Sequence, residues 1–291
     1  MEITVNAPAK INLYLDILNK RNDGYHEVEM IMQTVSLFDK ITIKKSDKKG
    51  IKVTSTYNFD EDIKKNTAYI AAEKFFEHTK LINPGISINI QKQIPVGAGL
   101  AGGSSDAAAV LIALNTLFEC NLSKGELANI GEKIGADVPF CIFGGTMLAT
   151  GTGTALSPLL SLKNCHVLIV KPTFSVSTKL AYQASDQTPR EKNKSIDNII
   201  SAIKSNNLRD IAKNIYNRFE TVLNFDEVTN IKNILNKNGA LNSCMTGTGS
   251  AVYGIFEDKE KAIYCKNLLN KNYKDVFLTA PFFYDKNIIK I

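Results

Sequence analysis

"QIPVGAGLAGGSSDAAAVLIAL", residues 93–114, sets Gly97, Gly99, Gly102 and Gly103 in one short loop, follows them with Ser104, Ser105 and Asp106, and continues into an unbroken alanine-rich run. Glycines let backbone N–H groups approach a ligand with no Cβ in the way. The helix that the run predicts, from about Ser104, adds its own unpaired N–H groups and the positive end of its dipole. A polyphosphate is the natural guest, and the two serine hydroxyls could cap the helix, bond phosphate oxygens or contact a metal. Packing alone explains one or two glycines in a tight turn, and explains poorly a whole series beside paired serines.

Two other nucleotide loops fail against this stretch. Gly97, Gly99 and Gly102 match G-x-G-x-x-G after a strand, but a dinucleotide fold needs a second parallel strand after the helix, with an acidic residue about 20 residues beyond the loop. Here Ser123 and Glu126 form a capping box that starts another helix instead. A Walker loop needs Gly-Lys-Ser/Thr, and no lysine stands there.

Around the loop, Ile3–Val5, Ile11–Ile17, Ile41–Lys44, Ile51–Thr56 and Ile86–Ile90 alternate apolar and polar residues and read as strands. Asn66 is the expected N-cap of an amphipathic helix to about Thr79, and Asn83-Pro84-Gly85 turns the chain into the strand before the loop. Leu127, Ile130 and Ile134 share one helical face, which Gly135 ends at its C′ position. A second strand-and-helix region starts at Val167–Val170. Leu208, Ile211, Ile215, Phe219 and Val222 keep helical spacing through one helix, and Gly239 closes a further helix carrying Val228, Ile231 and Leu235. Ala251–Phe256 reads as a strand, 259–270 as a helix and 276–280 as a last strand, while the polar, turn-rich segment 183–195 reads as an exposed loop. The sum is an α+β fold in two parts, with a boundary near residues 155–165.

The chain has 291 residues, 44% hydrophobic and 22% charged, which suits a globular protein with a real core. The N-terminus has no basic stretch ahead of an apolar one, and the longest apolar run, Ala107 to Leu114, is too short to cross a bilayer. A cytoplasmic protein with no membrane partner is expected. The net charge of +6 comes from dispersed lysines, a solvated basic surface rather than a nucleic-acid footprint. Cys120, Cys141, Cys165, Cys244 and Cys265 are widely separated, with no C-x-x-C pair, and read as reduced thiols.

"PVGAGLAGGSSDAAA" at 95–109, with "APAKINLYL" at 7–15 and "TGTGSAVYGIF" at 246–256, resembles the GHMP kinases, the group that includes galactokinase, homoserine kinase and mevalonate kinase. The three segments run in the family's order over almost the whole chain, which makes the likeness specific. "RNDGYHEV" at 21–28 and "GADVPF" at 135–140 narrow it to a branch whose alcohol substrate carries a cytidine diphosphate. The resemblance implies a two-domain fold. Residues 1–160 would be an ATP-binding domain like the second domain of a ribosomal protein, residues 161–291 a ferredoxin-like α/β sandwich, and the active site the cleft between them.

It also implies ATP as co-substrate with Mg²⁺, whose ligands are not assigned. The phosphates would lie on Pro95, Val96, Gly97, Ala98, Gly99, Leu100, Ala101, Gly102, Gly103, Ser104 and Ser105, with Asn66 and Lys92 toward the adenosine. Asp137 would be the catalytic carboxylate and Lys10 its partner. Asn12, two residues along the strand from Lys10, would contact the acceptor's hydroxyls, while Tyr25 and His26 would hold the cytosine and Tyr182 would be a second stacking ring. Gly247 and Gly249 would let the third segment pass close to the phosphate loop. A monomer or weak homodimer is expected.

Without the resemblance the same residues have plainer roles. Asp137 fits an N-cap for a short helix at Pro139, Lys10 a surface lysine on an edge strand, and Tyr25 with His26 a packed and solvated turn. Ala98 and Ala101 stand where glycine is common in such loops, which stiffens this one. Homoserine and mevalonate have no base and give the Asp23–His26 turn no purpose. An RNA-binding module would leave the glycine loop without one.

Overall fold

The computed structural model describes residues 2–58, 62–190, 195–284 and 289–290. Its first half holds β1 (Glu2–Lys20), β2 (His26–Lys45), β3 (Ile51–Ser55), α1 (Thr67–Thr79), β4 (Ile86–Gln91), α2 (Gly102–Leu117), α3 (Lys124–Glu132), α4 (Val138–Phe143), β5 (Thr146–Thr150) and β6 (Ala155–Pro158). The local signals act where the sequence puts them. Asn66 Oδ1 accepts from the Ala68 amide at 2.9 Å and starts α1. Asn83 Oδ1 accepts from Gly85, and Ser123 with Glu126 closes a full capping box on α3. Gly135 donates to the Gly131 carbonyl but lacks the left-handed backbone expected of a C′ glycine.

The second half adds β7 (His166–Lys171), α5 (Thr178–Gln187), α6 (Ile196–Lys204), α7 (Leu208–Lys213), β8 (Tyr216–Asn217), α8 (Arg218–Leu223), α9 (Asp226–Lys237), β9 (Asn242–Met245), β10 (Val252–Phe256), α10 (Lys259–Leu269), β11 (Asp275–Thr279) and β12 (Ile289–Lys290).

The first sheet runs β12-β1-β2-β4-β3, with β5 on β2, β6 on β5 and β8 on β1. Its period-two rows Ile41 and Ile43, and Ile86, Ile88 and Ile90, bury against Phe75 of α1 and Leu111 of α2. The second sheet runs β11-β7-β10-β9, antiparallel throughout. Strands β7, β9, β10 and β11, with helices after the first and third, give the β-α-β-β-α-β order of a ferredoxin-like sandwich, so the α+β expectation holds. All five cysteines are free thiols, and no helix among the described residues is long and apolar enough to cross a membrane.

Three further expectations change. The two strands at 3–5 and 11–17 are one, because Pro8, which has no N–H to donate, sits at a register shift against β2 between Pro8 and Ala9. The helix expected over 208–222 is broken, since Tyr216 and Asn217 pair with Tyr14 and Leu15 of β1. Asn217 then caps α8 by accepting from Phe219, and its amide donates to the carbonyls of Met245 and Gly247. The loop expected over 183–195 begins as the end of α5, whose Ala181 and Ser185 are buried under a polar outer face; residues 191–194 lie outside the described residues.

Candidate active site

A cleft of about 790 Å³ lies between the two halves. Of the residues expected at the site, Lys10, Asn66, Lys92, Pro95 through Ser104, Asp137 and Tyr182 line it; Asn12, Tyr25, His26 and Ser105 do not.

The glycine loop is stitched to both halves. Lys10 of β1 donates its amide to the Leu100 carbonyl at 3.1 Å, and Ala251 donates to the Ala98 carbonyl at 3.2 Å. Gly99 has φ +75°, and a Cβ there would lie 2.1 Å from the Thr246 carbonyl oxygen. A Cβ on Gly247 would lie 2.8 Å from the Gly99 carbonyl oxygen, so the expected close passage of the two glycine segments is met there. Helix α2 starts at Gly102, two residues earlier than expected. Ala101 before it takes a left-handed backbone (φ 56°, ψ 31°), and no side chain caps the helix. Its first N–H groups therefore face the cleft as anion donors. Ser105 is turned away: its hydroxyl donates to the Pro8 carbonyl at 2.7 Å and is buried. It anchors the helix rather than meeting the cleft.

Sequence reading missed the two carboxylates around Lys92. Asp39 of β2 accepts from the amides of Gln93 (2.6 Å) and Ile94 (2.9 Å) and from the Lys92 ammonium, which fixes the base of the loop. Lys92 also donates to Asp106 of α2 at 2.8 Å, while Asp106 Oδ1 is buried without a hydrogen-bond partner among the described residues. Burial opposes the charge on Lys92, but Asp106 and Asp39 outweigh it and hold the ammonium above the usual lysine range. Burial pushes the Asp106 carboxyl up to about 7, against the pull of Lys92 and with the push of Asp39. An acid directly after the paired serines was the available signal. Asp39 gave none, because β2 brings it in from far along the chain.

Lys10 Nζ lies 3.9 Å from Asp137 Oδ2, the lysine side chain 5% and the aspartate 31% exposed. Asp137 has a helical backbone, and its side chain caps nothing at the start of α4. Lys10 is held by Asn12, whose Oδ1 accepts from Nζ at 2.6 Å and from the Gly247 amide at 3.0 Å. Asn12 does share a face with Lys10, yet it is fully buried and its side chain is spent on these bonds and on Met30. A carboxylate and an ammonium thus face one cleft with an uncapped helix start, an arrangement that can take a hydroxyl proton while holding phosphate charge.

Toward the second half, Tyr25 stands 68% exposed on the turn between β1 and β2. The His26 ring lies 4.7 Å from that of Tyr182, and Tyr182 packs edge-on against Phe219 at 5.0 Å. Burial, and secondarily Asp137, pushes the Tyr182 phenol up to about 12, so it stays neutral. The structure therefore brings His26 and Tyr182 together and leaves Tyr25 apart from them.

A helix-start anion site from one sheet, closed by a ferredoxin-like sandwich with a Lys–Asp pair between, is the plan of a GHMP kinase. The GHMP kinase N-terminal domain model matches residues 66–145 and the GHMP kinase C-terminal model residues 199–275. The chain is 47% identical over 279 residues to a 4-diphosphocytidyl-2-C-methyl-D-erythritol kinase of Caldicellulosiruptor bescii, covering 95% of this chain and 97% of the relative. The kinase of that name from Clostridioides difficile is 44% identical, with 95% and 94% covered. A crystal structure of 4-(cytidine 5'-diphospho)-2C-methyl-D-erythritol kinase superposes with a TM-score of 0.81 at 30% identity, covering 96% of this chain and 98% of that one. Homoserine kinase from Cytophaga hutchinsonii, with a TM-score of 0.76 at 20% identity, shares the fold. The chain belongs to the GHMP kinases, in the family of the 4-diphosphocytidyl-2-C-methyl-D-erythritol kinases.

Proposed function

We propose that this kinase transfers the γ-phosphoryl group of ATP to the 2-hydroxyl of 4-diphosphocytidyl-2-C-methyl-D-erythritol, giving the 2-phosphate and ADP in the non-mevalonate route to isoprenoid precursors. The observation that carries the reading is the buried Lys10 ammonium 3.9 Å from the Asp137 carboxylate, on a cleft that the uncapped start of α2 also faces. Residues 1–160 serve as the ATP-binding unit and 161–291 as the second unit, with β8 and β12 lent back to the first sheet.

Phosphoryl transfer asks the protein mainly for alignment and charge stabilisation. The backbone N–H groups from Val96 to Ser104 hold the phosphates, with Pro95 shaping the loop ahead of them, and Asn66 and Lys92 lie toward the adenosine. Asp137 accepts the proton of the attacking hydroxyl. Lys10 stands beside that carboxylate and balances charge on the transferring oxygens. Asn12 acts through Lys10, as a positioning residue, instead of touching the acceptor's hydroxyls. Mg²⁺ bound with ATP would neutralise phosphate charge. The Ser104 hydroxyl and the unpartnered Asp106 Oδ1 are oxygen donors of the kind it takes, and no group of three or more His, Cys, Asp or Glu among the described residues is placed to hold a metal. Tyr25 and Tyr182 supply flat faces for the cytosine, and His26 reads its edge.

Coupled ADP release with a panel of alcohols tests this. Turnover with the cytidine diphosphate-linked methylerythritol and none comparable with homoserine or mevalonate is expected; equal rates overturn the assignment.

A further inference from the structure

His26 and Asp186 form a pair that joins the two halves across the cytidine end of the cleft. His26 Nε2 lies 2.6 Å from Asp186 Oδ1, and the second carboxylate oxygen takes Lys20 Nζ at 3.0 Å. Lys20 and His26 flank the β1–β2 turn. Asp186 stands one helical turn after Tyr182 on α5, so the aspartate and the stacked ring reach the imidazole from the same face. The hydrogen bond from His26, and then that from Lys20, hold the Asp186 carboxyl below the usual carboxylate range. An ionised carboxylate accepts hydrogen bonds and donates none. The proton of a neutral His26 ring therefore belongs on Nε2, and Nδ1, which has no hydrogen-bond partner among the described residues, carries the lone pair.

We infer that Asp186 sets the base specificity of this kinase: by holding the His26 proton on Nε2 it presents Nδ1 as an acceptor, which matches the exocyclic amino donor of cytosine and opposes the carbonyl oxygen that uracil places there. The inference rests on the reading of His26 as a cytosine contact. Asp186 is a positioning residue in it, since it acts through the imidazole. Rejection of the wrong base then comes from two lone pairs facing each other, the form of discrimination that buried polar edges give most strongly.

The test uses the whole protein and two readouts. Nitrogen-15 chemical shifts of the His26 ring report the tautomer without any ligand. The ratio of kcat/KM for cytidine diphosphate-linked over uridine diphosphate-linked methylerythritol reports base choice. In Asp186→Asn the amide can donate to Nε2, so the Nδ1–H tautomer gains population and the ratio falls about tenfold to a hundredfold. Asp186→Glu keeps an acceptor at that nitrogen and keeps both readouts near the unmodified values. A tautomer that changes in Asp186→Asn while the ratio holds overturns the inference, as does a ratio that falls with the tautomer unmoved. If His26→Ala leaves the ratio unchanged, the cytosine is not read by His26, and it is the underlying placement that has failed.

Discussion

Replacing Asp137 by asparagine separates two roles that coincide in the sequence. The substitution keeps shape and one acceptor oxygen and removes charge and basicity. A working N-cap would be worth about 1 kcal/mol, but the Asp137 side chain caps nothing, its backbone being already helical at φ −83°, ψ −12°. Its pairing with the buried Lys10 is long, at 3.9 Å, and open to solvent on the carboxylate side, which is 31% exposed, so its net contribution stays near that of a solvated pair, about 0–1 kcal/mol. Lys10 meanwhile keeps its 2.6 Å bond to Asn12. The stability change should therefore stay within about 1 kcal/mol, or roughly 2 °C in melting temperature for a chain of this size. Losing a general base costs about 10²–10⁴ in kcat, which is about 3–5 kcal/mol of barrier, with KM for the alcohol little changed. Steady-state kinetics run beside thermal melting decide it. A loss confined to KM, or a kcat loss accompanied by a melting drop of many degrees, would refute the catalytic role.

Gly99→Ala puts a Cβ 2.1 Å from the Thr246 carbonyl oxygen at φ +75°. Left-handed strain of about 1–2 kcal/mol and overpacking of about 1–3 kcal/mol should lower the melting temperature by several degrees and raise KM for ATP; unchanged melting would mean that the two glycine segments do not touch. Asp106, raised to about 7, holds its proton in the folded chain over a range where an unfolded carboxyl, titrating near 3.9, has lost it. This group therefore makes stability fall as pH rises from about 4 to 7. Asp106→Asn should narrow the melting difference between pH 5 and pH 8, and an unaltered difference would place an ionised Asp106 in the fold throughout. Tyr25→Ala should weaken the cytidylyl substrate by roughly 1–3 kcal/mol and Tyr25→Phe much less, with ATP affinity held in both. Calorimetric titration of each ligand checks this, and weaker ATP binding in Tyr25→Ala would misplace the cytidine pocket.

The parts of this molecule legible in the sequence are those decided by neighbours along the chain. Asn66 and Ser123 cap the helices they precede, Ser123 with Glu126 of the first turn of α3, because capping is settled within one turn, and the glycine loop meets a helix start because both lie in one stretch. The illegible parts are decided across the fold. Residues 208–222 have helical spacing, but β1 offers Tyr216 and Asn217 a strand partner, and pairing wins over periodicity. Asn12 lies on the side of the strand that alternation predicts, yet nothing local says that Gly247 and Thr246 will consume its polar groups. Asp39 and Asp106 flank Lys92 only because β2, the glycine loop and α2 converge there.

That last class of contact also decides how the cleft can work. Asn12 accepts from Tyr253 through its carbonyl at 2.8 Å, donates its amide to Thr246 at 3.0 Å and accepts from Gly247 at 3.0 Å, so one residue of β1 holds three of the second half. Each such buried bond is worth about 0.5–1.5 kcal/mol and costs more if left unmade. A hinge opening beneath Lys10 would break all of them together and disorganise the Lys10–Asp137 pair at the same moment. The glycine contacts at Gly99 and Gly247 leave no slack in the backbone for such a movement. On the proposed function the alcohol enters at the rim, where the turn carrying Tyr25 is exposed and the Lys20–Asp186 bond is solvated. On the same reading the groups proposed to react are already in place before the alcohol binds, and only the alcohol's own alignment remains.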